Sequence, residues 1–250
     1  MLNLWLYSLI SVIIVSLISL IGIITLSINS KKLEKILIYM ISFSAGALLG
    51  DAFIHLLPEA IESSSFTLNI SLFVLCGIGF SLITEKVIHW RHCHHITTKT
   101  HKHNVSIMNL IGDGVHNFID GIIIGVSYLI SIPIGIATTL AIIFHEIPQE
   151  IADYGVLIYG GFTKTKAILA NFITALTALL GTIIALVIGS KSESFLAFLI
   201  PFAAGNFIYI ACSDLIPELH KDFETKKAII QVLLFILGIA VMALLLMLEG

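Results

Sequence analysis

Charged side chains are scarce in this chain: Asp, Glu, Lys and Arg make up 12% of its 250 residues, about half the usage of a soluble globular protein. Cysteine is scarcer still, with only Cys76, Cys93 and Cys212. An odd, scattered set argues against a disulfide framework. Cys76 and Cys212 read as small apolar residues packed between helices. The formal net charge is −3, so no basic excess points to a nucleic-acid partner.

What fills the chain instead is apolar: 58% of residues are hydrophobic and the mean hydropathy is +1.05. Runs of about 20 apolar residues, enough to cross a bilayer, recur from end to end. The expected fold is an all-α integral membrane protein with eight transmembrane helices, near 4–27, 36–57, 66–88, 106–129, 133–158, 166–189, 194–217 and 228–248. The opening segment has neither a basic n-region nor a small-residue cleavage site, so it reads as the first span rather than a signal peptide. Residues 1–250 are then a single transmembrane domain with the lipid bilayer as its solvent.

The basic residues set an orientation. Lys31, Lys32, Lys35, Lys86, Arg91, Lys99, Lys102, Lys164, Lys166, Lys221, Lys226 and Lys227 fall in the loops after spans one, three, five and seven, and the other side has only Lys191. Loops rich in Lys and Arg stay in the cytoplasm, so both termini are expected to be extracytoplasmic. Short loops and the lack of a signal peptide point to a prokaryotic cell (cytoplasmic) membrane.

Span two contains AGALLGDAFIHLLPE, Ala45 to Glu59, and span seven contains AGNFIYIACSDLIPE, Ala204 to Glu218. They align without gaps and cross the membrane in opposite directions. That is the pattern of inverted repeats, which place a binding site near the midplane. The expected arrangement is 3+2+3, with spans four and five as the insert. Gly46 and Gly205 should let helices approach closely.

Spans four and five carry the polar residues. An ionisable side chain at mid-bilayer costs a few kcal/mol and needs a partner. Asp113, His116, Asn117 and Asp120 share one helix face through i,i+3 and i,i+4 steps. His145, Glu146, Gln149, Glu150 and Asp153 lie along span five, where Pro148 should free a backbone carbonyl. Imidazole, carboxylate and amide donors at one depth suit a divalent transition metal. No thiolate is present, which disfavours a closed structural zinc site. The Asn117 and Glu146 faces offer a second cation position. Asp51 and His55 in the outer half of span two are placed to draw cations in, and Asp214 and Glu218 in the inner half of span seven to receive them.

Between spans three and four, the segment 89–104 holds His89, His92, Cys93, His94, His95, His101 and His103. Such a tract reads as a mobile metal buffer or sensor on the cytoplasmic side. Its spacing matches no closed zinc module.

With HNFIDG at 116–121, HEIPQE at 145–150 and GDAFIHLLPEA in span two, the chain resembles the ZIP (Zrt/Irt-like protein) metal transporters, in particular the branch with histidine-rich loops, over essentially its whole length. The resemblance implies uptake of Zn2+, with Fe2+, Mn2+ and Cd2+ as further substrates, into the cytosol by alternating access. It implies a principal metal held by His116, Asp120, His145 and Gln149, with Asn117 and Glu146 at a neighbouring position, an entrance past Asp51, His55 and Asp113 and an exit past Asp214 and Glu218. Gln149 departs from the branch, which has His there, and makes a neutral, weaker ligand. Span six has no acidic residue; its one candidate ligand is Asn171. A homodimer is left open.

Two other classes compete. HEIPQ approaches the H-E-x-x-H of metalloproteases, but its second His is Gln149 and Pro148 interrupts it, so no enzyme is expected. An exporter or a channel is the alternative to uptake, because the split of basic loops does not fix the direction of transport.

Overall fold

The computed structural model describes residues 2–22, 30–64, 68–90, 102–220 and 224–247. Eight helical rods follow one another, and no strand occurs among the described residues. α1 is Leu2–Ile18, continued by a 3-10 turn Ser19–Ile21. α2 comprises Ser30–Gly50, a π-helical turn Asp51–Leu56 and Leu57–Ser64. α3 is Leu68–Trp90, α4 Lys102–Ile130 and α5 Ile132–Tyr159. α6 comprises Lys164–Ala175 and Thr177–Gly189. α7 comprises Glu193–Tyr209, a π-helical turn Ile210–Leu215 and Ile216–Leu219. α8 is Thr225–Leu246.

Seven of these rods are long and apolar enough to cross a membrane by length and composition. α4 is not among them, although it has 29 residues. The cause is its polar stripe of Asp113, His116, Asn117 and Asp120, which lowers its hydropathy. It sits inside the bundle, against α5, α6, α1, α7 and α3, where neighbouring helices rather than lipid receive that stripe. α3 and α8 are the opposite case: their most apolar windows are each only 17% buried, against 56% for α5, so they present apolar side chains outward.

Span two is longer than its sequence suggests. Pro58 should end it near residue 57, yet the helix runs on to Ser64. A proline lacks the N–H that bonds the carbonyl four residues earlier and crowds that carbonyl. The π turn immediately before it widens the backbone and absorbs both defects. The same device stands in α7. Both π turns begin six residues after the alanine of the Ala-Gly pair of their repeat and end two residues before Pro58 and Pro217.

The packing repeats as well. α2 lies against α8 and α7 against α3, while α4 lies against α6 and α5 against α1. Exchanging the first three helices with the last three, and α4 with α5, maps each contact onto another. Gly46 and Gly205 hold matching places: a Cβ on the first would collide with the Phe235 carbonyl oxygen of α8, and on the second with the Val74 carbonyl oxygen of α3. The 3+2+3 arrangement of inverted repeats is thus visible in the backbone. Cys76 and Cys212 are exposed rather than packed. His89 and His103 lie within the helical backbone of α3 and α4, while His92, Cys93, His94, His95 and His101 lie outside the described residues.

Candidate metal site

Only Ser131 separates α4 from α5. It caps α5, its hydroxyl accepting the Ile134 N–H at 3.1 Å. So short a link makes the two helices an antiparallel pair, and residues at similar distances from it meet. Asp120 lies 11 residues before Ser131 and His145 lies 14 after it. The polar stripes therefore face each other at mid-helix.

Four side chains converge there: His116, Asp120, His145 and Glu146, with one ligand atom from each, all within 4.8 Å of one another. The two imidazole Nε2 atoms are 3.3 Å apart. Asp120 Oδ2 is 3.6 Å from His116 Nε2 and 2.9 Å from His145 Nε2. Glu146 Oε1 is 3.1 Å from His116 Nε2 and 3.5 Å from His145 Nε2. A tetrahedral zinc with bonds of about 2.0–2.1 Å has ligand atoms about 3.3 Å apart. Five of the six edges of the observed set lie between 2.9 and 3.6 Å and so match that polyhedron.

The donors are oriented for it. His145 directs Nδ1 at the Ala141 carbonyl, 3.2 Å away. An N–H on Nδ1 leaves the Nε2 lone pair pointing into the cluster, the arrangement seen when a histidine binds metal. Asp120 Oδ1 and Oδ2 and Glu146 Oε1 are buried and form no hydrogen bond among the described residues. These carboxylates come within ion-pair distance of both rings but converge on a common centre instead of pairing with one ring each. Two carboxylates and two neutral imidazoles balance one divalent cation. Asp120, His145 and Glu146 are at most 1% exposed, and His116 is partly exposed.

Glu146 thus stands in the cluster where the resemblance implies Gln149. Gln149, one turn further along α5, is half buried. Asn117, implied at a neighbouring position, gives its amide to Asp113 Oδ1 at 2.8 Å. Its own Oδ1 forms no hydrogen bond among the described residues.

Pro148 does free a carbonyl, that of Phe144, and the structure shows who takes it: the Ser44 hydroxyl of α2 donates to it. That contact fixes the depth of α2 against α5. Asp51 lies seven residues further along α2, paired with His55 through Oδ1 and Nδ1 at 2.9 Å, beside Thr138 near the start of α5.

Asp113, expected on the entrance route with Asp51 and His55, lies on the other side of the cluster. It is three residues towards the start of α4 from His116. Its carboxylate accepts from Asn117 and from Thr174 of α6, and the charge of Asp153 near the end of α5 acts on it electrostatically. Asp153 Oδ1 in turn accepts from Asn109 Nδ2 at 2.9 Å. Glu150 is buried beside the Asn171 side chain of α6, and the Asn171 amide donates to its backbone carbonyl at 3.3 Å. Sequence reading missed Asn109, which i,i+4 spacing from Asp113 would have revealed, and Thr174, which no local pattern marks. Asp214 is exposed and Glu218 half buried near the end of α7; neither belongs to the four-residue cluster.

The chain is similar to known proteins over most of its length. A family model described as the ZIP Zinc transporter matches residues 2–106 and 91–246. The Zinc transporter ZIP13 homolog of Drosophila melanogaster is 29% identical, covering 98% of this chain and 89% of its own length. Zinc transporter ZIP13 of Pongo abelii is 34% identical over 82% of this chain and 65% of its own length. Zinc transporter SLC39A7 of Mus musculus is 28% identical over 99% of this chain and 71% of its own length.

Proposed function

The chain belongs to the ZIP zinc transporter family, and from that premise we propose that it moves Zn2+ into the cytosol through the His116, Asp120, His145 and Glu146 cluster. Membership makes it a multi-pass membrane transporter and not an enzyme, which sets aside the protease reading. Fe2+, Mn2+ and Cd2+ are further substrates on this reading, because carboxylates widen the tolerance of an imidazole site.

The observation that carries the proposal is the set of five ligand-atom separations between 2.9 and 3.6 Å around one centre. The rest follows from where the polar groups lie. The ion arrives past Asp51 and His55, sheds water onto the four donors, and leaves on the side of Asp113 and Asp153 towards the His-rich loop. Glu218 and Asp214 stand near that inner end of α7. Since Asp120, His145 and Glu146 are almost fully buried, access from either side requires helices to move against one another, as alternating access demands. The basic loops support an orientation with both termini outside the cytosol, and on this reading the chain acts in the cell membrane.

The test is radioactive zinc uptake by sealed vesicles, with metal on one side at a time. His145→Ala should abolish inward flux while the protein still reaches the membrane. Undiminished uptake by that variant, or flux in the outward direction only, would overturn the proposal.

A further inference from the structure

The repeat symmetry relates two helix contacts that differ in this structure. With Ala45 matched to Ala204, Phe43 and Ser44 of α2 correspond to Phe202 and Ala203 of α7. With His116 matched to His145, Val115 of α4 corresponds to Phe144 of α5. On one side the contact is closed: Ser44 donates to the Phe144 carbonyl, and the Phe43 and Phe144 rings are 4.4 Å apart. On the other side Ala203 has no hydroxyl and Val115 has no ring. Phe202 keeps to its own helix pair, its ring 5.6 Å from that of Phe80 in α3 and 5.5 Å from that of Phe198 in α7. Between α4 and these rings lies a cavity of about 210 Å3, lined by Val115, Phe202 and Ala203 among others.

Its chemistry and shape restrict what can fill it. All eleven lining residues are apolar, six on α4 and the rest on α3 and α7. A buried water needs two to four polar partners, whereas an apolar cavity of about 150 Å3 stays dry and takes up benzene or xenon. Val115 and Val126 are its first and last lining residues on α4, separated by a rise of about 16 Å. The cavity is therefore a narrow slot running along a helix of the bundle, the direction in which lipid tails lie. Phe80 lines it and is 41% exposed, on a helix whose apolar side chains point outward. Hydrocarbon is the solvent on that side, and an empty slot would forfeit dispersion contacts along its walls.

We propose that this slot binds one acyl tail of a bilayer phospholipid, laid along α4 against Phe118 and Phe202. The tail takes the space that α7 would occupy if it met α4 as α2 meets α5. Closing the gap, as the exchange of the two repeats in alternating access requires, expels the tail. That consequence rests on the transporter reading; occupancy of the slot does not.

The test uses the full chain reconstituted in phosphatidylcholine vesicles, doped with phosphatidylcholine that carries a photoactivatable diazirine midway along one tail. After illumination, peptide mass spectrometry should place adducts on residues 115–126 several-fold above those on residues 229–237 of α8, which face outward without a cavity. Ala203→Phe fills the slot and should bring the adducts on residues 115–126 down to that background, with labelling of α8 unchanged. Should this variant not run as a single species on gel filtration, Val126→Phe, read at residues 198–203, carries the same expectation. The proposal is overturned if residues 115–126 label no more than α8 in the wild type, or if their adducts survive the filling substitution. Absence of zinc uptake by the wild-type vesicles alongside the expected labelling would instead remove the transporter reading and leave the tail site standing.

Discussion

The Ser44 hydroxyl of α2 donates its hydrogen to the Phe144 carbonyl of α5, the carbonyl that Pro148 leaves without its helical partner. A proline in mid-membrane is tolerated only where another group takes the freed acceptor. Here that group belongs to the neighbouring helix, so one sequence defect becomes a contact between α2 and α5 at the depth of His145.

Ser44→Ala removes this contact and leaves a buried carbonyl unpaired. Interhelical hydrogen bonds in membranes are worth about 0.6 kcal/mol on average and up to about 1.7. The variant is expected to lower the thermal unfolding midpoint in detergent and to retain zinc binding. An unchanged midpoint would show that the carbonyl finds another partner.

Acid should weaken metal binding. Each imidazole ligates as the neutral base and each carboxylate as the anion, so binding releases protons. Zn2+ affinity of the purified protein is expected to fall as the medium is acidified, with protons released to the buffer on binding. Calorimetry in buffers of different ionisation enthalpy checks both the sign and the count. Affinity that rises on acidification would contradict a cluster built from His116, Asp120, His145 and Glu146.

Gln149 sits one turn beyond His145 on α5. Replacing it with His adds an imidazole near the site, and imidazole favours Zn2+ over Mn2+. In competition uptake with Zn2+, Fe2+, Mn2+ and Cd2+, Gln149→His is expected to strengthen the preference for Zn2+ over Mn2+. An unaltered order of preference would mean that position 149 does not face the ion.

The sequence revealed the eight helices through their apolar runs, seven of which are apolar enough to cross a membrane, and the inverted repeat through AGALLGDAFIHLLPE and AGNFIYIACSDLIPE. It also revealed the polar faces of α4 and α5, because i,i+3 and i,i+4 spacing needs no tertiary information. Which residues meet across helices was less legible. Glu146 and Gln149 differ by less than one turn, and only the rotation of α5 against α4 decides which reaches His116. Thr174 of α6 reaches Asp113 across helices, and that contact has no local signature. The π turns were hidden because they answer to Pro58 and Pro217, which on sequence alone read as helix ends.

Zinc K-edge X-ray absorption on the purified chain, with residues 91–101 deleted and one Zn2+ bound, tests the four-residue cluster most directly. The account predicts a four-coordinate shell at about 2.0–2.1 Å that contains two imidazoles, with the imidazole scattering halved in His145→Ala and absent in the His116→Ala, His145→Ala double variant. A shell whose imidazole scattering is the same in the wild type and the double variant would contradict it.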